Sequence, residues 1–580
     1  MATYKTPGVY VEEISKLPAS VAPVATAIPA FIGYTEQKIK NGETLAANIP
    51  VRITSLLEYE EIFGGAFNEQ LTVTLTGSSV DEADTNIAVA ASTNRSPYNL
   101  YYNLVMYFGN GGGPCYIVSV GTYTASPIPT PDPNTLISVS DLQAGVAAVE
   151  KEDEVTLLVV PEAIKLSASN RKTINDDMLT QCNKLQDRFA IMDASVLGGT
   201  VNDDGIGFRS DVGTDYLKYG ACYYPSLRTT LNLNVGGGSV AITDSRTGAT
   251  FNGATLDIIQ NGVTGAAASG TVTIVAFGSI AGATITVDGT ALVEGVDWTA
   301  ATDNAATATS LATAIDGLTN VSASSTGNVV NIMAVASGTT GNSIPLVTSH
   351  PANAAISGAT LAGGVDELLS DKTLYNNIIK EINKEFEVVL YPSSAIAGVY
   401  ARVDNNRGVW KAPANVSLRL VSKPSILVTS EQQMNLNVDA TSGKSINVIR
   451  RFAGKGNIVW GARTLAGNDN EWRYVPVRRL FNFVEESVKK ATEFVVFEPN
   501  DAKTWLRTKT MIENFLTGLW RDGALAGAKP EEAFFVKVGL GETMTSLDIL
   551  EGRMNVEIGM AAVRPAEFII LKFSHKLQES

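Results

Sequence analysis

Strand-like and helix-like segments alternate along most of this 580-residue chain, and one long segment of different composition interrupts the alternation. Before the interruption, residues 98–108 and 174–185 carry the apolar spacing of helices, and short apolar runs predict buried strands. The runs are Cys115–Val120, Thr156–Val160, Phe189–Met192 and Tyr219–Tyr224. After it, a helix is predicted near Leu374–Phe386 and a strand at Val388–Tyr391. Such alternation is typical of a mixed or parallel sheet covered by helices, so we predict an α/β (α+β) multidomain chain whose sheet core is split by an insertion.

The interrupting segment, about residues 228–364, is rich in Ala, Gly, Thr, Ser and Val. Between residues 229 and 371 the only Lys or Arg is Arg246. Strand-like runs alternate with turns such as Asp288-Gly289, and a helix is predicted near Ala305–Leu318. The runs are Thr271–Ala276, Thr284–Val287 and Val329–Ala334. A disordered Gly/Ala linker would not show this regular alternation, so we predict an inserted β-rich domain in a surface loop.

Both ends of the chain are predicted to be extended. Four prolines in the first 30 residues forbid a continuous helix, and Val9 and Val11 alternate with Tyr10 and Glu12 as in a strand. Near the other end, one face of a predicted strand holds Ile569, Leu571, Phe573 and Leu577, and the opposite face holds Phe568, Ile570, Lys572 and Lys576. Neither segment could bury a core of its own. Each is either a loose terminus or a strand donated to another sheet, and we favour the donated strand.

These patterns divide the chain into five predicted parts. They are an N-terminal linking arm (1–30), a split α/β middle domain (31–227 with 365–440, carrying a small excursion at 66–97), the inserted β-rich domain (228–364), a C-terminal α/β domain (441–565) and a C-terminal linking strand (566–580). Within the C-terminal domain, a buried strand is predicted at Phe494–Phe497. A helix follows it, capped by Asn500 or Asp501 and ended by Gly523.

The residue types that acid–base and nucleophilic catalysis require are scarce in this sequence. The chain has two histidines, His350 in the insert and His575 near the end, and neither follows a core strand. The run Ser442–Ser445 (SGKS) resembles half of a phosphate-binding loop, but Val438 stands where that loop needs glycine. The three cysteines, which are too far apart for a zinc site, are predicted to be buried thiols: Cys115, Cys182 and Cys222. We therefore predict no enzyme activity, no cofactor and no metal site.

The net charge of −15 argues against a surface that binds nucleic acid, because such binding depends on Lys and Arg neutralising phosphates. No apolar run is long enough to span a bilayer, and the first residues lack the pattern of a secretory signal. One cluster of positive charge stands out: Arg450, Arg451, Lys455, Arg463, Arg473, Arg478 and Arg479. It could bind nucleic acid, form ion pairs with nearby acids such as Glu471 and Glu485, or face an acidic partner protein.

Six stretches, spread over both ends of the chain, carry a family resemblance. They are TPGVYVEE (Thr6–Glu13), AFIG (Ala30–Gly33), FGNGGGPCYIV (Phe108–Val118), NIVWGARTLAGNDNEWRYVPVRRL (Asn457–Leu480), FNFVEESVKKATEFVVFEPNDAKTW (Phe481–Trp505) and RPAEFIILKF (Arg564–Phe573). In this order they resemble the contractile tail sheath family, which forms the outer cylinder of contractile phage tails, R-type bacteriocins and related injection systems. The resemblance covers about the first 60 residues, 98–225 and everything after 365. The insert lies outside it, although it is similar to a module that recurs in phage structural proteins.

The resemblance implies a structural subunit that polymerises helically around an inner tube. The sheath would then contract, without nucleotide, and drive the tube through a target envelope. The implied partners are further copies of the chain, the inner tail tube protein, and baseplate and terminator or cap proteins, with no direct nucleic acid and no membrane insertion. The implied place of assembly is the bacterial host cytoplasm, and the product is a virion tail or injection particle.

For a subunit of this kind, the extended termini and one exposed helix face suggest roles for particular residues. Two sets are expected to add as edge strands to sheets in neighbouring copies: Val9, Tyr10, Val11 and Glu12 from the arm, and Ile569, Leu571, Phe573 and Leu577 from the last strand. On the helix predicted from Asp501 to Trp520, the candidate tube contact is Lys503, Arg507 and Lys509. An alternative function is a tail fibre, spike or adhesin that binds a receptor through the inserted domain, whereas the histidine count disfavours a hydrolase.

Overall fold

The computed structural model describes residues 21–91, 95–124 and 132–572. Its strands are β1 (Pro29–Thr35), β2 (Ile39–Lys40), β3 (Glu43–Thr44), β4 (Pro50–Ile53), β5 (Leu71–Thr76), β6 (Asn86–Ala91), β7 (Cys115–Thr122), β8 (Leu157–Val159), β9 (Phe189–Asp193), β10 (Gly220–Tyr224), β11 (Leu227–Thr229), β12 (Val240–Asp244), β13 (Ala267–Ile274), β14 (Thr284–Val287), β15 (Thr290–Val293), β16 (Val321–Thr326), β17 (Val329–Ser337), β18 (Leu346–Thr348), β19 (Ala354–Ile356), β20 (Val389–Leu390), β21 (Val416–Ser417), β22 (Val421–Pro424), β23 (Ile446–Phe452), β24 (Gly456–Val459), β25 (Phe534–Lys537) and β26 (Glu557–Met560).

The α-helices of the same residues are α1 (Leu56–Phe63), α2 (Leu100–Gly109), α3 (Val139–Ala148), α4 (Ala168–Leu185), α5 (Val201–Ser210), α6 (Leu256–Asn261), α7 (Asn304–Asp316), α8 (Lys372–Glu385), α9 (Ser393–Arg407), α10 (Ser430–Asn437), α11 (Val475–Thr492), α12 (Ala502–Arg521), α13 (Pro530–Ala533) and α14 (Ser546–Leu550). The elements group into two compact units. The larger unit comprises the described residues up to Phe67, those from 95 to Asn234 and those from Glu387 onward, and the smaller comprises residues 68–91 and 235–386.

A nine-stranded sheet is the centre of the larger unit, in the order β21-β24-β23-β10-β9-β8-β1-β7-β4. The six strands from β23 to β7 are parallel, and antiparallel strands flank them on both sides. Every residue of β1, β8, β9 and β10 is buried. Parallel sheets need helices on both faces, which explains why their strands are apolar runs without alternation. The predicted α/β fold class is confirmed.

Helices cover both faces of this sheet. Ala30 and Ile32 of β1 lie in one apolar cluster with residues of α3 and α4. Phe31, which points to the opposite face, packs edge-on against Tyr107 of α2, with 5.0 Å between ring centroids. Successive side chains of a strand point to opposite faces, so the motif AFIG places its apolar residues on both sides of the sheet.

A buried carboxylate, Glu162, joins β1 to the start of α2. Its Oε2 accepts a hydrogen bond from the backbone N–H of Tyr34 at 2.8 Å, and its Oε1 accepts from those of Asn99 at 2.9 Å and Leu100 at 3.3 Å. Asn99, the N-cap residue of α2, makes no side-chain capping bond of its own, so Glu162 satisfies N–H groups that the helix leaves open. A Cβ on Gly33 would lie 2.8 Å from Glu162 Oε2, which is why the AFIG motif ends in glycine.

Glu162 makes the stability of this unit depend on pH. Burial raises the pKa of Glu162 to about 7 in the folded protein, although the three N–H groups act to lower it. The unfolded chain therefore releases this proton near pH 4.5 and the folded chain near pH 7. The contribution of Glu162 to the free energy of unfolding, on the order of 3 kcal/mol, is fully present below pH 4.5. It is lost as the pH rises to about 7. We expect Glu162→Gln to reduce the decline in melting temperature between pH 5 and 7.5, measured beside the parent chain. Identical slopes would contradict the assignment.

Two long helices, α11 and α12, build a second apolar core in the larger unit. The core contains Leu480 and Val484 of α11, Ile512 and Leu516 of α12, and Val536 of β25. Asp501 caps α12 by accepting from the backbone N–H of Thr504, and Gly523 follows its end with φ +83°. The predicted cap and stop of this helix are therefore confirmed.

The first described residues run from this second core to the large sheet. Val21 is buried in the core with Val409 and α12, the Val24 N–H donates to Ser487 Oγ at 3.2 Å, and Ile28 lies in the cluster beneath the sheet. Arg479 of α11 fixes the middle of the segment because its Nη2 donates to the Thr26 carbonyl at 2.8 Å.

The guanidinium of Arg479 also forms a buried ion pair. Its two terminal nitrogens lie 3.0 and 2.5 Å from the carboxylate oxygens of Asp404 on α9, and both side chains are only 3% exposed. The same group lies 4.5 Å from the ring centroid of Tyr400. Arg479 therefore ties α9, α11 and the first described segment together.

The smaller unit holds most of the predicted insert, from residue 235 onward, together with residues 68–91 and with α8, which the predicted bounds place in the middle domain. One of its sheets has the order β12-β5-β6, so residues of the predicted excursion at 66–97 pair with β12 of the insert. The apolar core of the smaller unit is formed by β13–β19, α7 and the buried Trp298. Asp288 and Gly289, with φ of +51° and +73°, form the two-residue turn between β14 and β15. Arg246 is buried and pairs with Asp244 at 2.7 Å.

The strand predicted at Phe494–Phe497 is wrong. Residues 493–495 form a 3₁₀ turn, and Val496 and Phe497 are exposed, Phe497 completely. An apolar run of four residues does not by itself distinguish a buried strand from a turn that displays its side chains. The structure also continues the large sheet into β23 and β24, across the start predicted at residue 441 for the C-terminal domain, because Cys222–Tyr224 of β10 pair with Ile446–Val448.

Candidate subunit interface

A two-stranded antiparallel sheet, β25 with β26, lies over α12. Phe534 pairs with Met560 at one end and Lys537 with Glu557 at the other. Val536 is buried toward α12, whereas Phe535 is exposed and lies over Gly559, where a Cβ would approach the ring to 2.2 Å. Within the described residues, each strand pairs only with the other. Both outer edges therefore present backbone groups that a further strand could pair with.

The segment that follows β26 is held by one glutamate. Glu567 accepts hydrogen bonds from Arg463 at 2.6, 2.9 and 3.1 Å, from Asn437 Nδ2 at 2.7 Å and from Tyr474 Oη at 3.1 Å. Burial alone would raise the pKa of Glu567, but the hydrogen bonds from Arg463 and Asn437 hold it below its ordinary value. Glu567 is thus an ionised anchor near the end of the described chain.

Beyond this anchor, four apolar side chains are exposed to solvent. Phe568, Ile569, Ile570 and Leu571 are 70%, 79%, 79% and 72% exposed. The half-buried strand predicted here is not formed by the residues up to 572, which pair with no sheet of the described chain. Phe573 and Leu577 lie outside the described residues, as do the arm residues Val9, Tyr10, Val11 and Glu12.

A groove of about 940 Å³ lies beside this anchored segment. Its aromatic lining consists of Trp410, Trp460, Tyr474 and Phe568, and its cationic lining of Arg407, Lys411, Arg450 and Arg564. Trp410 also packs against the core that holds Val21. The first and last described segments of the chain therefore approach the same part of the larger unit.

Three of the six arginines in the basic cluster form ion pairs among the described residues. Arg463 pairs with Glu567, Arg478 with Glu485 at 2.8 Å, and Arg479 with Asp404. The side chain of Arg473 bonds to Asn470, and no ion pair to Glu471 is found within the described residues. Intradomain pairing therefore accounts for the buried members of the cluster, whereas Arg450 makes its hydrogen bonds to the neutral side chains of Ser430 and Gln433.

The three residues of the candidate tube contact lie on two different faces of α12. Lys503 and Arg507 are exposed and lie one turn apart, so they share a face. The Arg507 guanidinium lies 4.6 Å from the ring centroid of Phe494. Lys509 lies roughly 160° round the helix from Arg507 and is half-buried. The structure brings two of the three predicted residues together.

The groups considered for chemistry have structural roles in the described chain. Lys444 Nζ donates to the carbonyls of Arg209 and Val212, both at 2.7 Å, and Ser442 bonds to Asp439. The Nδ1 atom of His350 is hydrogen-bonded to the hydroxyl of Ser349, at 2.9 Å. The three cysteines are free and fully buried, as predicted. Across residues 21–91, 95–124 and 132–572, no cluster of three or more His, Cys, Asp or Glu could hold a metal, and no helix has the length and apolarity that crossing a membrane needs.

Residues 467–576 match the family model for the phage tail sheath C-terminal domain. We call residues 467–576 the sheath domain, after the family model that they match. This sheath domain contains α11, α12, both open strand edges and the anchored Glu567. The tail sheath protein of Vibrio phage KVP40 is 28% identical over 124 residues, which is 21% of this chain and 18% of the length of the phage protein.

Two solved structures resemble the whole chain. The PVC sheath complex of an extracellular contractile injection system, in the contracted state, has a TM-score of 0.52 and 26% identity, covering 100% of this chain and 99% of that one. The contracted helical sheath of the anti-feeding prophage has a TM-score of 0.51 and 27% identity, covering 99% and 100%. The resemblance to the contractile tail sheath family is confirmed, and it extends beyond the sheath domain.

Proposed function

We propose that this chain is a structural subunit of a contractile sheath that polymerises helically around an inner tube. The observation that carries the proposal is the similarity of the whole chain to proteins solved as assembled sheaths. A helical array requires an interface between two different surfaces of each copy, so that contacts propagate without closing. The sheath domain offers unpaired strand edges, and both chain ends carry strand-like sequences.

In this proposal, copies are linked by exchanged strands. The arm (Val9–Glu12) of one copy and the last strand (Ile569–Leu577) of another add to the outer edges of β25 and β26 in a third. Backbone hydrogen bonds then give strength, and alternating side chains fix the register. The exposed apolar side chains after Glu567 support this arrangement, because they would become half-buried on pairing.

We further propose that the sheath contracts from an extended to a wider, shorter lattice and drives the tube through a target envelope. The energy comes from better packing of subunits, so neither a nucleotide nor another cofactor is required, and the chain is not an enzyme. The proposed partners are other copies, the inner tail tube protein, and the baseplate and terminator or cap proteins. Assembly takes place in the host cytoplasm.

Negative-stain electron microscopy of the purified chain, alone and co-expressed with its tube protein, tests the proposal. We expect long, striated, hollow tubes in at least one of the two preparations. Monodisperse particles in both would overturn the sheath assignment, because a sheath subunit must polymerise when its template is present.

The exposed face of α12 gives a separate prediction about the tube. We propose that Lys503 and Arg507 contact the tube protein, since they are exposed, adjacent and positively charged. The double variant Lys503→Glu and Arg507→Glu should fold normally but fail to co-assemble with the tube, measured by co-sedimentation. Lys509→Glu, which lies off this face, is the matched control and should co-sediment like the parent. Normal sheathed tubes from the double variant would refute the contact.

A further inference from the structure

The groove beside the anchored Glu567 has an excess of positive charge that the described chain does not balance. Its cations are Arg407, Lys411, Arg450 and Arg564. None of the four forms an ion pair with a carboxylate among the described residues. The lining carboxylates are Asp522 and Glu567, and Glu567 is already paired with Arg463.

Individual contacts show that these cations have spare donors. The Nε of Arg450 is buried without a hydrogen-bond partner, while its Nη1 reaches only neutral groups. Burial and the neighbouring charge of Arg407 lower the pKa of Lys411, as expected for cations crowded together without an anion. Arg564 donates to a backbone carbonyl, that of Asn470 at 2.8 Å. An anionic group entering the groove would satisfy these donors.

The two ends of the chain differ in the charge that they could bring to this groove. The N-terminal arm has two adjacent acids, Glu12 and Glu13, directly after the strand-like Val9–Val11, while its two lysines, Lys5 and Lys16, are separated from them by at least two residues. The last residues, 573–580, include His575 and Lys576 with Glu579 as their one acidic side chain. Charge complementarity therefore selects the N-terminal arm as the occupant.

The groove also continues from the strand edge at which an arm would pair. Val563, three residues beyond Met560 at the end of β26, is part of its lining. An arm whose Val9–Val11 lie along β26 and run parallel to it carries Glu12 and Glu13 past Met560, the end of that strand nearest the groove. The nine residue steps from Val21 back to Glu12 can span about 30 Å when extended, so the groove of the neighbouring copy must lie within that distance of Val21.

We propose that Glu12 and Glu13 from the arm of a second copy bind in this groove, against Arg450 and Arg564 with Arg407 and Lys411 beside them. This inference rests on the proposed strand exchange and adds a charge-specific site at which the exchanged arm ends. The aromatic side chains of Trp410 and Trp460 would cover the ion pairs and reduce their contact with water, which strengthens them.

Charge exchange tests the proposal in the full chain. Arg450→Glu with Arg564→Glu should remain folded by circular dichroism but lose sedimentable polymer, with each lost pair weakening association about tenfold. Adding Glu12→Lys and Glu13→Lys to this variant should restore polymer. A chain that carries only Glu12→Lys and Glu13→Lys should form no polymer. Lys151→Glu, at an exposed lysine outside the groove, is the control for a change of net charge. Normal polymer from the groove variant, or no rescue by the arm variant, overturns the proposal.

A cysteine pair distinguishes the possible occupants. Glu12→Cys with Arg564→Cys should crosslink on oxidation into a ladder of multimers, and the native cysteines leave little background because all three are fully buried. Crosslinking within single chains would show that the groove takes its own arm and would overturn the proposal. If the strand exchange itself is wrong, deleting residues 1–16 will leave polymer intact. If only the groove assignment is wrong, that deletion will abolish polymer while the groove variants assemble.

Discussion

A chain that lacks residues 1–16 is expected to fold normally and to form no tubes. The structure explains why folding should be spared: the described chain begins at Val21, which is already buried, and the Val24 N–H and the Thr26 carbonyl are already bonded to α11. Assembly should fail because each copy loses the strand that links it to a neighbour, and backbone hydrogen bonds along an edge supply most of the strength of such a link. Electron microscopy and sedimentation beside the full chain would measure the loss.

A matched variant separates the backbone from the side chains of the arm. Val9→Pro with Val11→Pro keeps the length and charge of the arm but removes two backbone donors and resists pairing. We expect it to behave like the deletion. Tubes of normal length and stability from both variants would refute strand exchange while leaving the sheath domain and the fold unaffected.

Removing the Arg479 side chain should produce the largest loss of stability among single substitutions of charged residues in the larger unit. Arg479→Ala leaves Asp404 buried at 3% exposure without its cation and also removes the donor to the Thr26 carbonyl. Breaking a buried pair by deleting one partner costs about 3–5 kcal/mol, because the remaining charge is uncompensated. Chemical denaturation followed by hydrogen exchange in α9 and α11 would measure the effect.

Two controls define the mechanism of this loss. The double variant Arg479→Met with Asp404→Leu removes both charges and should recover much of the stability. Arg553→Ala removes an exposed arginine that pairs with Asp548 and should leave the unfolding transition unchanged. If Arg479→Ala were as stable as the parent, the buried pair would not hold the first described segment in place.

Local patterns were sufficient to predict much of the fold. Apolar runs such as Thr156–Val160 and Phe189–Met192 are strands of a parallel sheet because burial on both faces leaves a direct signal in sequence. The start and end of α12 could be predicted from Asp501 and Gly523, because a capping residue and a helix-ending glycine act on residues adjacent to them in the chain. The insert was visible because its composition changes abruptly.

The features that the sequence could not predict depend on residues far apart in the chain. Glu162 caps a helix that begins 62 residues before it, and Glu567 is held by Arg463 from 104 residues away. The groove combines loops, α10 and the segment after β26, so no single stretch carries its signature. Phe494–Phe497 was predicted as a strand because all four residues are apolar, whereas their exposure is a property of the surrounding fold.

The approach of the first and last described segments to the region around Trp410 has a practical consequence for engineering. A purification tag or reporter protein fused to either terminus would be attached directly to a segment that we propose is exchanged between copies, and its bulk would obstruct that exchange. The turn Asp288-Gly289 in the smaller unit, where Gly289 is exposed, is a better place to insert an epitope or a fluorescent label. Such an internal insertion would leave both termini free to engage their neighbours.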